Sequence, residues 1–147
     1  MKNKLMILML ILITNLSYSQ NGYKKVYAYD EYRKDWALVK TITGTYGFID
    51  KSGKIVVQPI YDKIEKFKIN SGEFALVKSI SSTYGLINKD GKEVVKTFYA
   101  QIGEYGEIEK DLALVKSITG TYGFIDKNGN EIVPVIYNSI DEAKDSV

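Results

Sequence analysis

Short apolar runs alternate with polar, turn-forming clusters along most of this chain, and the alternation returns every 38 residues. Trp36-Ala37-Leu38-Val39-Lys40, Phe74-Ala75-Leu76-Val77-Lys78 and Leu112-Ala113-Leu114-Val115-Lys116 open stretches that stay in register throughout. Ten residues after each stand Tyr46-Gly47-Phe48-Ile49, Tyr84-Gly85-Leu86-Ile87 and Tyr122-Gly123-Phe124-Ile125, followed by Gly53, Gly91 and Gly129 and then by Tyr61, Tyr99 and Tyr137. The first run of each copy is short, aliphatic and β-branched and ends at small polar residues such as Ser81-Ser82-Thr83, which predicts a strand and a turn. The Tyr-Gly run resumes strand composition. Asn88-Lys89-Asp90-Gly91 then separates it from Lys92-Glu93-Val94-Val95-Lys96, which predicts a hairpin.

Asp50-Lys51-Ser52-Gly53, Asn88-Lys89-Asp90-Gly91 and Asp126-Lys127-Asn128-Gly129 all place Asp or Asn first and glycine fourth. A type I turn closed by a left-handed glycine fits this order, because the Asp or Asn side chain accepts from the turn backbone and glycine has no Cβ to clash at positive φ. Gly47, Gly85 and Gly123 fall inside strands, where glycine is unfavourable, so a close backbone or aromatic approach in the stack is expected there. After the third strand, Pro59 to Phe67 combines helical spacing of Ile60, Ile64 and Phe67 with an extended start at Pro59 and Tyr61. An irregular segment with one helical turn is expected. The same segment occurs as Tyr23 to Asp35 and as Tyr137 to Val147.

These elements predict an all-β protein, an open, solenoid-like stack of β-hairpin or three-stranded units in a single repeat domain spanning 20–147. The units run 23–60, 61–98 and 99–136, with a partial unit at 137–147. One unit of this size buries too little apolar surface to fold alone, so the copies must stack. A closed propeller needs about four blades or more, which favours the open stack.

Ahead of the repeats, Lys2 and Lys4 precede the apolar run Leu5 to Ile13 and a polar stretch with Ser17 and Ser19. This is the layout of a secretory leader, expected to span 1–19. Nine residues rising about 1.5 Å each cover about half of a ~30 Å hydrocarbon core, so a membrane anchor fits less well. The expected destination is periplasm, cell envelope or exterior, with no transmembrane span once the leader is removed. Removal takes two lysines and no acid, leaving 18 basic residues against 18 acidic ones. Net charge therefore gives no general attraction to nucleic acid.

The chain has no cysteine and no histidine. Disulfides and thiol chemistry are excluded, and so are the commonest general base and transition-metal ligand. Asp126, Asn128 and Asn130 alternate like the start of a calcium loop, but the spacing fails beyond them and Lys54 and Lys92 occupy the place of Asn130 in the other copies. Gly103-Glu104-Tyr105-Gly106-Glu107 carries acids where a phosphate-gripping loop needs donors. No unique acid pair marks a glycosidase, since Asp50 and Asp126 become Asn88 in the middle copy. No catalytic, cofactor or metal residues are assigned.

Lys40, Lys78 and Lys116 recur at one strand position and form the candidate ligand face, a column of positive charge for an anionic polymer. The competing reading makes them solvent-facing strand residues paired with Asp35, Glu73 and Asp111. The recurring tyrosines could offer ring faces to sugars, but their stack positions favour interlayer packing. Trp36 aligns with Phe74 and Leu112 and reads as a large core residue.

The string Tyr-Gly-Phe-Ile-Asp-Lys-x-Gly, ten residues after Ala-Leu-Val-Lys and followed by Val-Val-x-Pro-x-Tyr-Asp, resembles the bacterial WG-repeat family over nearly all of the chain beyond the leader. Tyrosine takes the tryptophan place at Tyr46, Tyr84 and Tyr122. The proline of Pro59 is Thr97 in the second copy and is displaced to Pro134 in the third. The resemblance implies a β-rich repeat in an exported or envelope-associated protein, with no catalytic residues to transfer. The expected function is a non-enzymatic binding or scaffold module for protein partners or cell-envelope components. The alternative is a polysaccharide or anionic-polymer binder using the lysine and tyrosine positions.

Overall fold

The computed structural model describes residues 22–147; the expected leader lies outside the described residues. Among the described residues, twelve strands form three antiparallel four-stranded sheets, each in sequence order. The first contains β1 (Tyr23–Tyr29), β2 (Trp36–Thr41), β3 (Tyr46–Asp50) and β4 (Ile55–Tyr61). The second contains β5 (Lys63–Ile64), β6 (Phe74–Lys78), β7 (Tyr84–Asn88) and β8 (Glu93–Tyr99). The third contains β9 (Gln101–Tyr105), β10 (Ala113–Lys116), β11 (Tyr122–Ile125) and β12 (Glu131–Tyr137). The protein is thus all-β and repetitive, as the pattern predicts.

Each sheet gains a fourth strand from the segment expected to be irregular. Lys63 and Ile64 pair with Lys78 and Val77, and Asp62 and Glu65 donate backbone hydrogen bonds to the carbonyls of Lys78 and Leu76 at 2.9 Å. Helical spacing of Ile60, Ile64 and Phe67 loses here because β6 offers partners for backbone groups that would otherwise be left open. The chain then turns at α1 (Ile69–Gly72), whose interior is left-handed, with Asn70 at φ 49° and Ser71 at φ 55°. Only the last copy of the segment makes a regular helical turn, α2 (Ile140–Lys144). There the Ser139 side chain accepts from the Glu142 amide at 3.2 Å, and the Glu142 carboxylate accepts from the Asn138 amide at 3.0 Å. The first bond satisfies one helix-start donor, and the second ties the residue before the cap to the helix.

The chain divides into two compact units, one up to Pro59 and one from Ile60 onward. In the first, Ala37, Val39 and Ile49 bury one face of the sheet with Tyr23, Val26 and Tyr29 packed on them. Phe48 lies on the other face, its ring 5.5 Å from that of Trp36 and 5.7 Å from that of Tyr32. Trp36 is half-buried and serves packing.

In the second unit two copies lie face to face. Phe74, Leu86 and Val95 of the β5–β8 sheet share one core with Ile102, Ala113, Val115 and Ile125 of the β9–β12 sheet. Strands buried on both faces read as continuous apolar runs such as Phe74-Ala75-Leu76-Val77, where a one-sided sheet would alternate. Each large side chain so buried contributes about 1.5–3 kcal/mol. The remaining face of β9–β12, carrying Phe124 and Val133, is covered by Ala143 of α2 together with Leu112, Leu114, Tyr122 and Tyr137. Short capped helices of this kind give a repeat stack a polar outer surface.

Candidate binding surface

Two turns and a bulge shape each sheet. At the β3–β4 turn, Asp50 Oδ1 accepts from the amides of Ser52 and Lys54 at 2.9 and 3.0 Å, and Asn88 and Asp126 do the same in their copies. Gly53, Gly91 and Gly129 follow at φ 84°, 78° and 81°, the left-handed conformation that the sequence predicts. The Ser52 hydroxyl, with these amides, holds the half-buried Asp50 carboxyl below its usual range. Asp126 is engaged likewise, its second oxygen accepting from the Asn130 side chain at 2.9 Å. Both Asp126 carboxylate oxygens therefore accept from donors within the turn.

The strand glycines owe their place to the bulge. The register runs from Tyr84↔Tyr99 to Leu86↔Val95, two residues of β7 against four of β8, and Tyr122↔Tyr137 to Phe124↔Val133 repeats it. A Cβ on Gly85 would lie 2.4 Å from the Val95 carbonyl oxygen and 2.9 Å from the Thr97 nitrogen. Gly47 and Gly123 meet β4 and β12 in the same way, at 2.4 Å from the Val57 oxygen and 2.6 Å from the Val133 oxygen. The close approach expected at these glycines is thus made by the backbone of the neighbouring strand in the same sheet.

The β2–β3 turn and its equivalents lock onto that bulge. Thr45, Thr83 and Thr121 donate their hydroxyls to the carbonyls of Pro59, Thr97 and Val135 at 2.6, 2.6 and 2.8 Å. Each threonine hydroxyl also lies 2.8 Å from that of the residue opening its turn, Thr41, Ser79 or Ser117.

Lys40, Lys78 and Lys116 sit at the strand ends leading into these turns, half-buried and directly opposite Tyr46, Tyr84 and Tyr122. Lys40 Nζ lies 4.9 Å from the Tyr46 ring centre and Lys116 Nζ 5.2 Å from that of Tyr122, while Lys78 Nζ lies 3.5 Å from Asp62. The acids expected as their partners go elsewhere. Asp35 pairs with Lys51 at 2.6 Å and Asp111 with Lys127 at 3.6 Å, at the opposite end of the sheets. Five strand residues rising about 3.3 Å each separate Asp35 from Lys40, too far for an ion pair.

Beside the lysines stand apolar residues overlooked in the sequence. Ile42, Ile80 and Ile118, at the tips of the three turns, are 77%, 76% and 73% exposed. Ile60, Phe98 and Ile136 also recur and are exposed, carried outward where the bulge shifts the strand. Their signal was an isoleucine inside each polar turn, as in Thr41-Ile42-Thr43-Gly44.

At the other end of the second unit an open cleft of about 300 Å³ is lined by Glu73, Phe74, Lys89, Asp90, Val94 and Lys127 among others, with charges of both signs. Among the described residues, no group of three or more acids could hold a metal ion, and no helix is long and apolar enough to cross a membrane.

Residues 46–79, 84–117 and 122–145 each match the model of the WG containing repeat. The chain belongs to this family. No curated protein and no solved structure matched it. Each matched segment begins at a Tyr-Gly pair, so tyrosine fills the place of the family's tryptophan. The glycine is required by the bulge. WG membership makes the chain a repeat protein.

Proposed function

We propose that this WG-repeat chain is an exported, non-enzymatic binding module that holds protein partners or cell-envelope components along the turn ends of its sheets. One observation carries the reading: each copy presents a half-buried lysine, an opposed tyrosine and an exposed isoleucine at equivalent positions. Repetition of exposed residues such as Ile42, Ile80 and Ile118, which no core requires, is what multivalent display demands. Export is supported by Lys2, Lys4 and the apolar run Leu5 to Ile13. The absence of histidine and cysteine from the sequence supports a non-catalytic role.

Affinity capture from a native envelope fraction, with the leader removed, tests this reading. A discrete component should be retained by the native chain and released by substitution of the turn-end residues. Capture that is indifferent to those substitutions would count against it.

The lysine–ring contacts at Tyr46 and Tyr122 favour a second reading, the binding of an anionic polysaccharide. Salt-sensitive retention on immobilised polymer, lost in the triple substitution Lys40→Gln, Lys78→Gln and Lys116→Gln, would select it.

A further inference from the structure

The second unit carries four strongly exposed apolar side chains and several lysines at the turn ends of its sheets. Ile80 and Ile118 cap the β6–β7 and β10–β11 turns, and Phe98 and Ile136 stand next to the strand-end tyrosines Tyr99 and Tyr137. The register pairs Tyr84 with Tyr99 and Tyr122 with Tyr137, so tips and bulges share this end. Lys78, Lys96 and Lys116 accompany them. Lys96 Nζ lies 5.9 Å from the Phe98 ring centre and Lys116 Nζ lies over Tyr122, and neither joins an ion pair among the described residues. Lys78 has Asp62 beside it, and Lys63, opposite Lys78 in the register, is bridged to Glu65.

From this placement we infer that the turn end bearing Ile80, Phe98, Ile118 and Ile136 docks onto an anionic bilayer surface. The inference rests on the binding-module reading and names its partner. Aliphatic tips a few ångströms deep in the headgroup region lose water, while lysine stems reach back to lipid phosphates; apolar insertion and electrostatic attraction add. A polysaccharide would gain little from isoleucine, which offers neither a hydrogen bond nor a flat ring. A second copy placed tip to tip would set lysine against lysine. The apolar residues stay rigidly exposed because the bulge over Gly85 and Gly123 and the Thr83 and Thr121 hydroxyl bonds fix this end.

The test is flotation of the purified protein, in the form its cells export, with vesicles of phosphatidylcholine alone or mixed with phosphatidylglycerol. Binding is expected only with the anionic lipid and should weaken as salt rises. Ile80→Ser with Ile118→Ser should weaken it about tenfold or more, with circular dichroism and melting unchanged, since both side chains already face water. Lys78→Gln and Lys116→Gln should each weaken it about fivefold. Absence of binding to anionic vesicles overturns the inference, as does binding indifferent to the isoleucine substitutions. Retention on dextran sulfate that ignores those substitutions and matches the vesicle result overturns it in favour of the polymer. The module reading is judged separately, by the envelope capture above, so one can fail while the other stands.

Discussion

Tyr99, at the end of β8, donates its hydroxyl to Glu131 at the start of β12 at 3.3 Å, tying two stacked copies together. The same relation across 32 residues joins Tyr61 to Glu93 at 3.1 Å. Burial first, then the Glu131 carboxylate, pushes the Tyr99 phenol up to about 12. Tyr61 and Tyr105 are pushed up further, burial again leading.

Alkaline pH should therefore loosen the fold. An unfolded tyrosine loses its proton near pH 10, whereas these three keep theirs in the folded chain. Above about pH 10 the unfolded chain binds fewer protons, so stability falls as pH rises. The stabilisation is whole below that point and drains away as pH climbs through the folded values. Thermal midpoints measured from about pH 8 to about pH 12 should drop through the upper half of the range, and Tyr99→Phe should flatten part of the drop. A level profile for the native chain would show that these phenols are not held by burial.

Gly85 and Gly103 make a paired test of the bulge. Alanine at Gly85 would set its Cβ 2.4 Å from a backbone oxygen, which no rotamer relieves, so a loss of about 3 kcal/mol is expected. Alanine at Gly103 finds its nearest atom at 3.5 Å, an ordinary contact, and should be neutral or stabilise by up to about 1 kcal/mol. Denaturant unfolding of the two variants decides it. Equal effects would mean that β8 does not press on β7.

What the sequence revealed was mostly local. Asn88 and Gly91 close one turn through bonds spanning a few residues, so their spacing alone predicts the conformation. Strand β5 was hidden because its partner, β6, lies beyond a turn that no short motif announces, and the helical spacing of Ile60, Ile64 and Phe67 pointed elsewhere. Recurrence coincides with burial at Leu86 and Ile87 but fails to mark it at Ile80 and Phe98. The failure at Phe98 is physical: a bulge opposite Gly85 shifts the strand, and period-two reasoning cannot see the shift. The lysine column was legible as a set of equivalent positions; its partners were not, because they lie across the strand at Tyr46 and Tyr122.

Ser82 departs from its sister copies in a way that can be corrected. It holds φ 63° at the place where Gly44 and Gly120 hold 96° and 94°. A side chain in this conformation costs about 1–2 kcal/mol, and glycine returns about 0.5–1 kcal/mol of that through unfolded-state entropy. Ser82→Gly should raise the melting temperature by about 2–4 °C, and Gly120→Ser should lower it comparably. Shifts of the opposite sign would mean that Ser82 earns its place through contacts outside the turn.

The helix α2 protects the outer face of the last sheet. Ala143 is fully buried against Phe124 and Val133, while Asp141, Glu142 and Lys144 belong to the polar side of the cap. Ser139→Ala removes the bond to the Glu142 amide and should cost about 1 kcal/mol, leaving the assembly state of the chain unchanged. Deleting residues 140–147 should do something different in kind, because Phe124 and Val133 are then uncovered on a sheet built to be stacked upon. The truncated chain should bind an apolar dye and elute as larger species than the full chain, since an uncovered apolar face drives association. Unchanged elution with no dye signal would show that the last sheet closes its own core without the helix.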